Sequence, residues 1–143
     1  MFVKQISVFL ENTKGGLLKL TRTISRHGID LIALSIADTE QYGILRCIVS
    51  DTDLCIQALR DAGYTVRLTD VLAVSVADQP GGLTQVLALL SAADISVEYL
   101  YSFVRNSGDN ALVIFRVNDS EKAARVLVDG DVKLLNQEQV RAL

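Results

Sequence analysis

The sequence predicts an α+β fold made twice over: two tandem βαββαβ units, each an antiparallel sheet with its helices on one face. Three observations predict it. The glycine pair of "NTKGGL" (residues 12–17) returns in "DQPGGL" (residues 78–83), 66 positions on, counting from Gly16 to Gly82. The stretch from Ile6, "ISVFLENTKGGLLKLTRTISRHGIDL", lies over the stretch from Leu72, "LAVSVADQPGGLTQVLALLSAADISV". In both, a period-two alternation passes through a glycine turn into a helical period, which is the pattern of strand, turn and helix.

Each element follows in order. Ile6, Val8 and Leu10 alternate as a strand with one buried face, and Leu72, Val74 and Val76 repeat them. Leu17, Leu20 and Ile24 then recur at helical spacing, as do Leu83, Val86, Leu87 and Leu90. A second strand starts near Ile29 ("IDLIALSIAD") and near Ile95 ("ISVEYLYSFV"). The turns "TEQYG" and "NSGDN" lead to third strands at 44–49 and 112–117, where the offset has grown to 68, so the second copy carries two extra residues in the turn. Asp51 or Thr52 is placed to cap a second helix with Leu54, Ala58, Leu59 and Ala62 on one face. In the other half Asp119 or Ser120 caps a helix that turns Ala123, Val126 and Leu127 inward. Gly63 and Gly130 stand near the helix ends, where a positive φ is often needed. "YTVRLTD" and "VKLLN" close the halves. The order is that of the split-βαβ, ferredoxin-like arrangement, with residues 1–70 as the first module and 71–143 as the second. Residues 136–143 form a short terminal helix or a frayed tail.

Composition narrows the function classes. Half of the 143 residues are apolar, enough for a core, and the net charge of −3 speaks against a phosphate-backbone partner. Met1 opens directly into an alternating strand pattern without a secretory h-region and cleavage site, and no apolar run reaches membrane-spanning length, so a cytoplasmic protein with no membrane partner is expected. Cys47 and Cys55 are the only cysteines, are not spaced C-x-x-C, and are expected to be reduced and buried. On the third strands, Leu45, Cys47 and Val49 oppose Ile44, Arg46 and Ile48, while Val113, Phe115 and Val117 oppose Leu112, Ile114 and Arg116. Ile44, Ile48, Leu112 and Ile114 make the second face too apolar for open water, so another sheet or subunit is expected to cover part of it, and a homodimer or larger is expected.

The glycine loops carry the chemistry. Glycines at 15, 16, 81 and 82 let a ligand come close to the backbone. The helix that follows offers unpaired N–H groups and a partial positive charge, which suit a carboxylate. Asn12 and Asp78 stand just before the glycines as acceptors for an ammonium group. The same residues also suit a plain strand-to-helix turn.

A strand, then "DQPGGL", an amphipathic helix and "ADISV" resembles the ACT domain, a small-molecule-sensing module, and the resemblance covers nearly all of both halves. It is nearest to stand-alone tandem ACT proteins with no attached enzyme. It implies an amino-acid ligand between paired modules and a role in regulating amino-acid metabolism, with an enzyme of that metabolism as a possible partner. By position it implies two combined sites. One joins Asp78, Gln79, Pro80, Gly81, Gly82 and Leu83 to Asp30. The other joins Asn12, Lys14, Gly15, Gly16 and Leu17 to Ser96. The ligand carboxylate would meet the N–H groups of Gly81, Gly82 and Leu83, and its ammonium Asp78 or Asp30. The first loop departs from the family pattern, with Lys14 in place of the usual proline and Asn12 in place of aspartate.

Other residues point elsewhere or nowhere. His27, the only histidine, precedes Gly28 at a helix C-terminus and suits the dipole there. Tyr99, Tyr101 and Phe103 alternate on one strand face, as core, interface or pocket wall. No catalytic constellation, metal cluster, cofactor motif or phosphate loop is visible, so neither enzyme activity nor a cofactor is expected. An RNA-binding domain shares the βαββαβ order, but the chain is acidic and "ALVIFRV" lacks the stacking pattern, so no nucleic acid is expected. A regulatory subunit without a ligand of its own is the other alternative.

Overall fold

The computed structural model describes residues 2–38, 42–103 and 110–143. The turns expected at "TEQYG" and "NSGDN" fall mostly outside the described residues, as does the end of "ISVEYLYSFV". The chain divides into two compact units, one of Lys4–Thr69 and one of Asp70–Leu143 together with the first residues of the chain.

The first unit contains β1 (Val3–Glu11), α1 (Gly16–Arg26), β2 (Leu31–Asp38), β3 (Tyr42–Val49) and α2 (Thr52–Asp61). β3 lies between β2 and β1, antiparallel to both, with Leu45 opposite Val8 on one side and Ile36 on the other. Ile6 and Val8 of β1, Leu45, Cys47 and Val49 of β3, Leu20 and Ile24 of α1, and Cys55 and Leu59 of α2 form one buried cluster. The alternation of the strands and the helical spacing of α1 therefore meet in a single core between sheet and helices.

The second unit repeats the plan with α3 (Gly82–Ala92), β5 (Val97–Ser102), β6 (Asn110–Val117), α4 (Ser120–Asp129), β7 (Leu134–Leu135) and a terminal α5 (Gln137–Arg141). The strand before α3 is β4 (Thr65–Ala77), which runs "YTVRLTD" and "LAVSVA" together as one element. β6 pairs antiparallel with β4 and β5, and β7 pairs with β4. Leu72, Val74 and Val76, Val113, Phe115 and Val117, Val86 and Leu90, and Ala123 and Leu127 form its core. The terminal helix is not frayed: Asn136 and Gln139 make a reciprocal capping box and Val140 is buried.

The duplication extends to irregular detail. The register of the second strand shifts between Leu31 and Ala33 in one unit and between Val97 and Tyr99 in the other. Just before each shift the backbone is pinned in the same way. Asp30 N–H donates to Ser50 Oγ at 2.9 Å while Ser50 N–H returns to the Asp30 carbonyl, and Ser96 N–H donates to Asn118 Oδ1 at 3.0 Å while Asn118 N–H returns to the Ser96 carbonyl.

Several expectations are corrected by the packing. Leu17 (41% exposed), Leu54 and Ala62 face outward, and Cys55 takes the inward place on α2. Gly130 has a negative φ of −89°, and the left-handed residue is Asp131 beside it at 60°. Gly63 does take the positive value, 90°. Ile48 and Ile114 are fully buried within the single chain and Leu112 nearly so, while Ile44 is half-buried and Phe9 opposite it exposed. Tyr101 and Phe103 are buried as core residues.

Asp51 and Asp119 are the caps of α2 and α4, each accepting the N–H three residues on at 3.1 Å. Replacing either by alanine is expected to cost about 1 kcal/mol, read as a shift of the urea midpoint at unchanged slope.

Candidate ligand-binding loops

The two glycine loops are the same structure bond for bond. After β1, Thr13 N–H reaches the Glu11 carbonyl at 2.8 Å, Gly16 N–H the Thr13 carbonyl at 3.1 Å and Lys19 N–H the Gly15 carbonyl at 3.0 Å. After β4, Gln79 N–H reaches Ala77, Gly82 N–H reaches Gln79 and Gln85 N–H reaches Gly81, at 2.9, 3.0 and 3.1 Å. Gly15 and Gly81 are the N-caps, at φ of 79° and 85°, in the left-handed region that glycine enters without strain. Neither α1 nor α3 has a side-chain cap, in contrast to α2, α4 and α5.

These bonds revise the expected donor set. Gly82 N–H is already spent on the Gln79 carbonyl, so it is not free for a carboxylate. The helix start leaves Leu83 and Thr84 N–H as the donors without an intrahelical acceptor, because the first turn has none to give them. The second glycine of the pair also has a different purpose from the one expected. A Cβ on Gly82 would overlap the carbonyl oxygen of Ala77, so the close approach there is made by the chain's own backbone. At Gly16 the same contact is relaxed, with Thr13 Oγ1 at 3.2 Å and the Glu11 carbonyl at 3.4 Å. Space above Gly15 and Gly81 is open.

Asp78, Gln79, Pro80 and Leu83 are exposed around the second loop, and Asp78 has no side-chain partner among the described residues. Asn12 and Lys14 are exposed around the first, with Asn12 engaged in an interaction of its own. Asp30 is exposed in the Lys4–Thr69 unit, and Ser96 is exposed in the unit that contains loop 78–83. Loop 12–17 and Asp30 belong to one unit, and loop 78–83 and Ser96 to the other.

Each unit also holds a cleft that no local sequence pattern announced. In the first, the end of β1, the start of α1, the start of β3 and the segment after α2 enclose about 400 Å³. In the second, the equivalent segments enclose about 280 Å³. The clefts arise from distant segments converging, so only the fold reveals them.

His27 caps α1 as expected, its Nδ1 donating to the Thr23 carbonyl at 2.8 Å. Among the described residues no group of three or more His, Cys, Asp or Glu side chains is placed to hold a metal ion, and no helix is long and apolar enough to cross a membrane.

A family model described as an ACT domain pair matches residues 1–143. Among solved structures, a protein from Bacteroides thetaiotaomicron is 39% identical over 100% of this chain and 98% of its own, with a TM-score of 0.94. The ligand-free regulatory subunit of aspartate kinase from Thermus thermophilus shares the fold at 17% identity, covering 88% of this chain and 90% of its own, with a TM-score of 0.64. The corresponding subunit from Thermus flavus does so at 14% identity, over 90% and 92%, with a TM-score of 0.61. No curated protein matches the chain. The same glycine loop closed by the same bonds in each of two ferredoxin-like units, and a match that runs from the first residue to the last, together place this chain in the family of ACT domain pairs.

Proposed function

We propose that this chain is an amino-acid-binding regulatory protein that modulates amino-acid metabolism and carries no catalytic group of its own. ACT domains are in general amino-acid-binding regulatory domains, and the pair is a regulatory module. The observation that carries the reading to a place on the chain is the start of α3. This helix lacks a side-chain cap, opens with two N–H groups left over, and follows an exposed, unpartnered carboxylate at Asp78. A zwitterion has one group for each. The ligand carboxylate meets Leu83 and Thr84 N–H, and its ammonium meets Asp78.

The reading extends to assembly. The likeness in fold to regulatory subunits of aspartate kinase suggests that the regulated enzyme is a separate chain. ACT domains oligomerise, and the protein acts as a homodimer in the cytoplasm. Calorimetry of the twenty amino acids against wild type tests the ligand. A dissociation constant between ~1 μM and ~1 mM is expected. Ligand about a hundredfold above that constant should stabilise the fold by ~2.7 kcal/mol. Asp78→Ala is expected to weaken binding at unchanged unfolding midpoint. If no amino acid binds, the chain is a subunit without a ligand of its own; if binding ignores Asp78→Ala, the loop assignment fails.

A further inference from the structure

We infer that the Lys4–Thr69 unit holds a second amino-acid site, separate from loop 78–83, in the cleft beside its own glycine loop, and that this site takes a bulky aromatic amino acid. The ligand class rests on the proposed function; the site does not.

The fold builds this cleft in both units, but only one is furnished. In the first unit Phe9, Glu11, Thr13, Lys19, Tyr42 and Tyr64 line it. In the second, the counterparts of Glu11, Lys19, Tyr42 and Tyr64 are Ala77, Gln85, Asn110 and Val132. Since the second unit forms the same cleft with a different lining, the lining of the first is not a condition of folding. It also has a composition of its own. Its lining brings together three aromatic side chains, one cation and one anion. Neither the Lys19 ammonium nor the Glu11 carboxylate has an ion-pair partner among the described residues. Two opposite charges held apart in one cleft match the two ends of an α-amino acid, with Lys19 for the carboxylate and Glu11 for the ammonium. Phe9, Tyr42 and Tyr64 then supply the apolar wall for its side chain. Size agrees. At about 400 Å³ the first cleft falls at the small end of ligand sites, which begin near ~300 Å³, and the second, at about 280 Å³, falls just below.

The test is calorimetry of L-phenylalanine against the full chain, with L-serine, 2-phenylethylamine and 3-phenylpropionate as comparisons. Wild type is expected to bind phenylalanine and to bind serine and both one-charge analogues at least about tenfold more weakly. Lys19→Gln and Glu11→Gln are each expected to lose about tenfold in phenylalanine affinity while unfolding at the wild-type midpoint, because both side chains are exposed. Asp78→Ala is the control for the loop site and should leave this binding intact. If phenylalanine binding survives in Lys19→Gln and Glu11→Gln but is lost in Asp78→Ala, the cleft assignment is wrong and the loop reading stands. If serine binds as well as phenylalanine in the cleft, the ligand class is wrong. If no amino acid binds wild type, both readings fall.

Discussion

Gly82→Ala is expected to destabilise the protein by about 3 kcal/mol or more, out of proportion to the single methyl group added. β4 ends at Ala77 and α3 begins at Gly82, and the chain turns back so tightly that the added Cβ would occupy the place of the Ala77 carbonyl oxygen. The carbonyl carbon lies only 3.0 Å from that Cβ. A side chain could rotate away from such a contact, but a strand's last carbonyl cannot move without dragging the ladder to β6 with it. Gly16→Ala is the matched control. It occupies the same place in the first unit, where the nearest atom is the hydroxyl of Thr13 at 3.2 Å, and its cost should stay within about 1 kcal/mol. Urea denaturation of the two variants gives the comparison directly. Equal costs would mean that the loop after β4 yields as easily as the one after β1. A large difference would show that one glycine of the repeated pair serves chain geometry, leaving Asp78 and the first N–H groups of α3 to account for any ligand.

The fold was legible in the sequence because two periods were written twice. Ile6, Val8 and Leu10 carried the strand period and Leu20 and Ile24 the helical one. Leu72, Val74, Val76, Val86 and Leu90 repeated both, so that each assignment supported the other. Where periodicity alone decided a face, it misplaced residues. Leu54 was set inward by helical spacing, yet the buried stripe of α2 runs through Thr52, Cys55, Ala58 and Leu59, where Cys55 and Leu59 join the core of the first unit. Leu17 stood in the first turn of α1, beyond the reach of the sheet. Gly130 was read as the left-handed residue because glycine adopts that conformation most readily; Asp131 adopts it instead. The side chain that a Cβ at Gly130 would meet is Leu89 at 2.7 Å, so packing between α3 and α4 is what favours glycine there.

The candidate site was legible in part, for a different reason. A loop is local, and its glycines and acidic residues could be read from one short segment. The bonds inside it could not, and they remove Gly82 N–H from the expected donors. The clefts were illegible altogether. Glu11, Lys19, Tyr42 and Tyr64 are spread across the first unit and share no motif; the sheet order brings them together. The need to cover the second sheet face was legible from composition, and Ile48, Leu112 and Ile114 are buried within the chain while Ile44 is only half-buried.

Alkaline pH is expected to weaken the fold through two buried thiols. Cys47 and Cys55 are both free and both fully buried in the core of the first unit. Burial, and then the neighbouring Asp51 carboxylate, push the Cys55 thiol up from its ordinary 9.0 to about 11. Burial raises Cys47 further still, with Cys55 adding to it. A thiolate in this core would lose its hydration and gain no cation, so the folded chain holds the neutral form. The sign follows from which state takes up the charge. Below pH 9.0 both states keep their protons and the thiols leave stability unchanged with pH. Above it the unfolded chain releases protons that the folded one retains, and stability falls with each step until Cys55 also ionises in the fold near pH 11. For Cys55 the loss across that window is about 2 kcal/mol once screening beside the solvent-facing start of α2 is allowed for. Cys47 adds a loss of the same sign that continues to higher pH. Urea midpoints of wild type and of Cys47→Ala/Cys55→Ala should therefore converge between pH 9 and 11. The double variant starts lower because it lacks two core sulfur atoms, and it lacks the slope that the thiols impose. Parallel curves would mean that the thiols ionise in the folded chain as readily as in water, and that water reaches the space between α2 and β3.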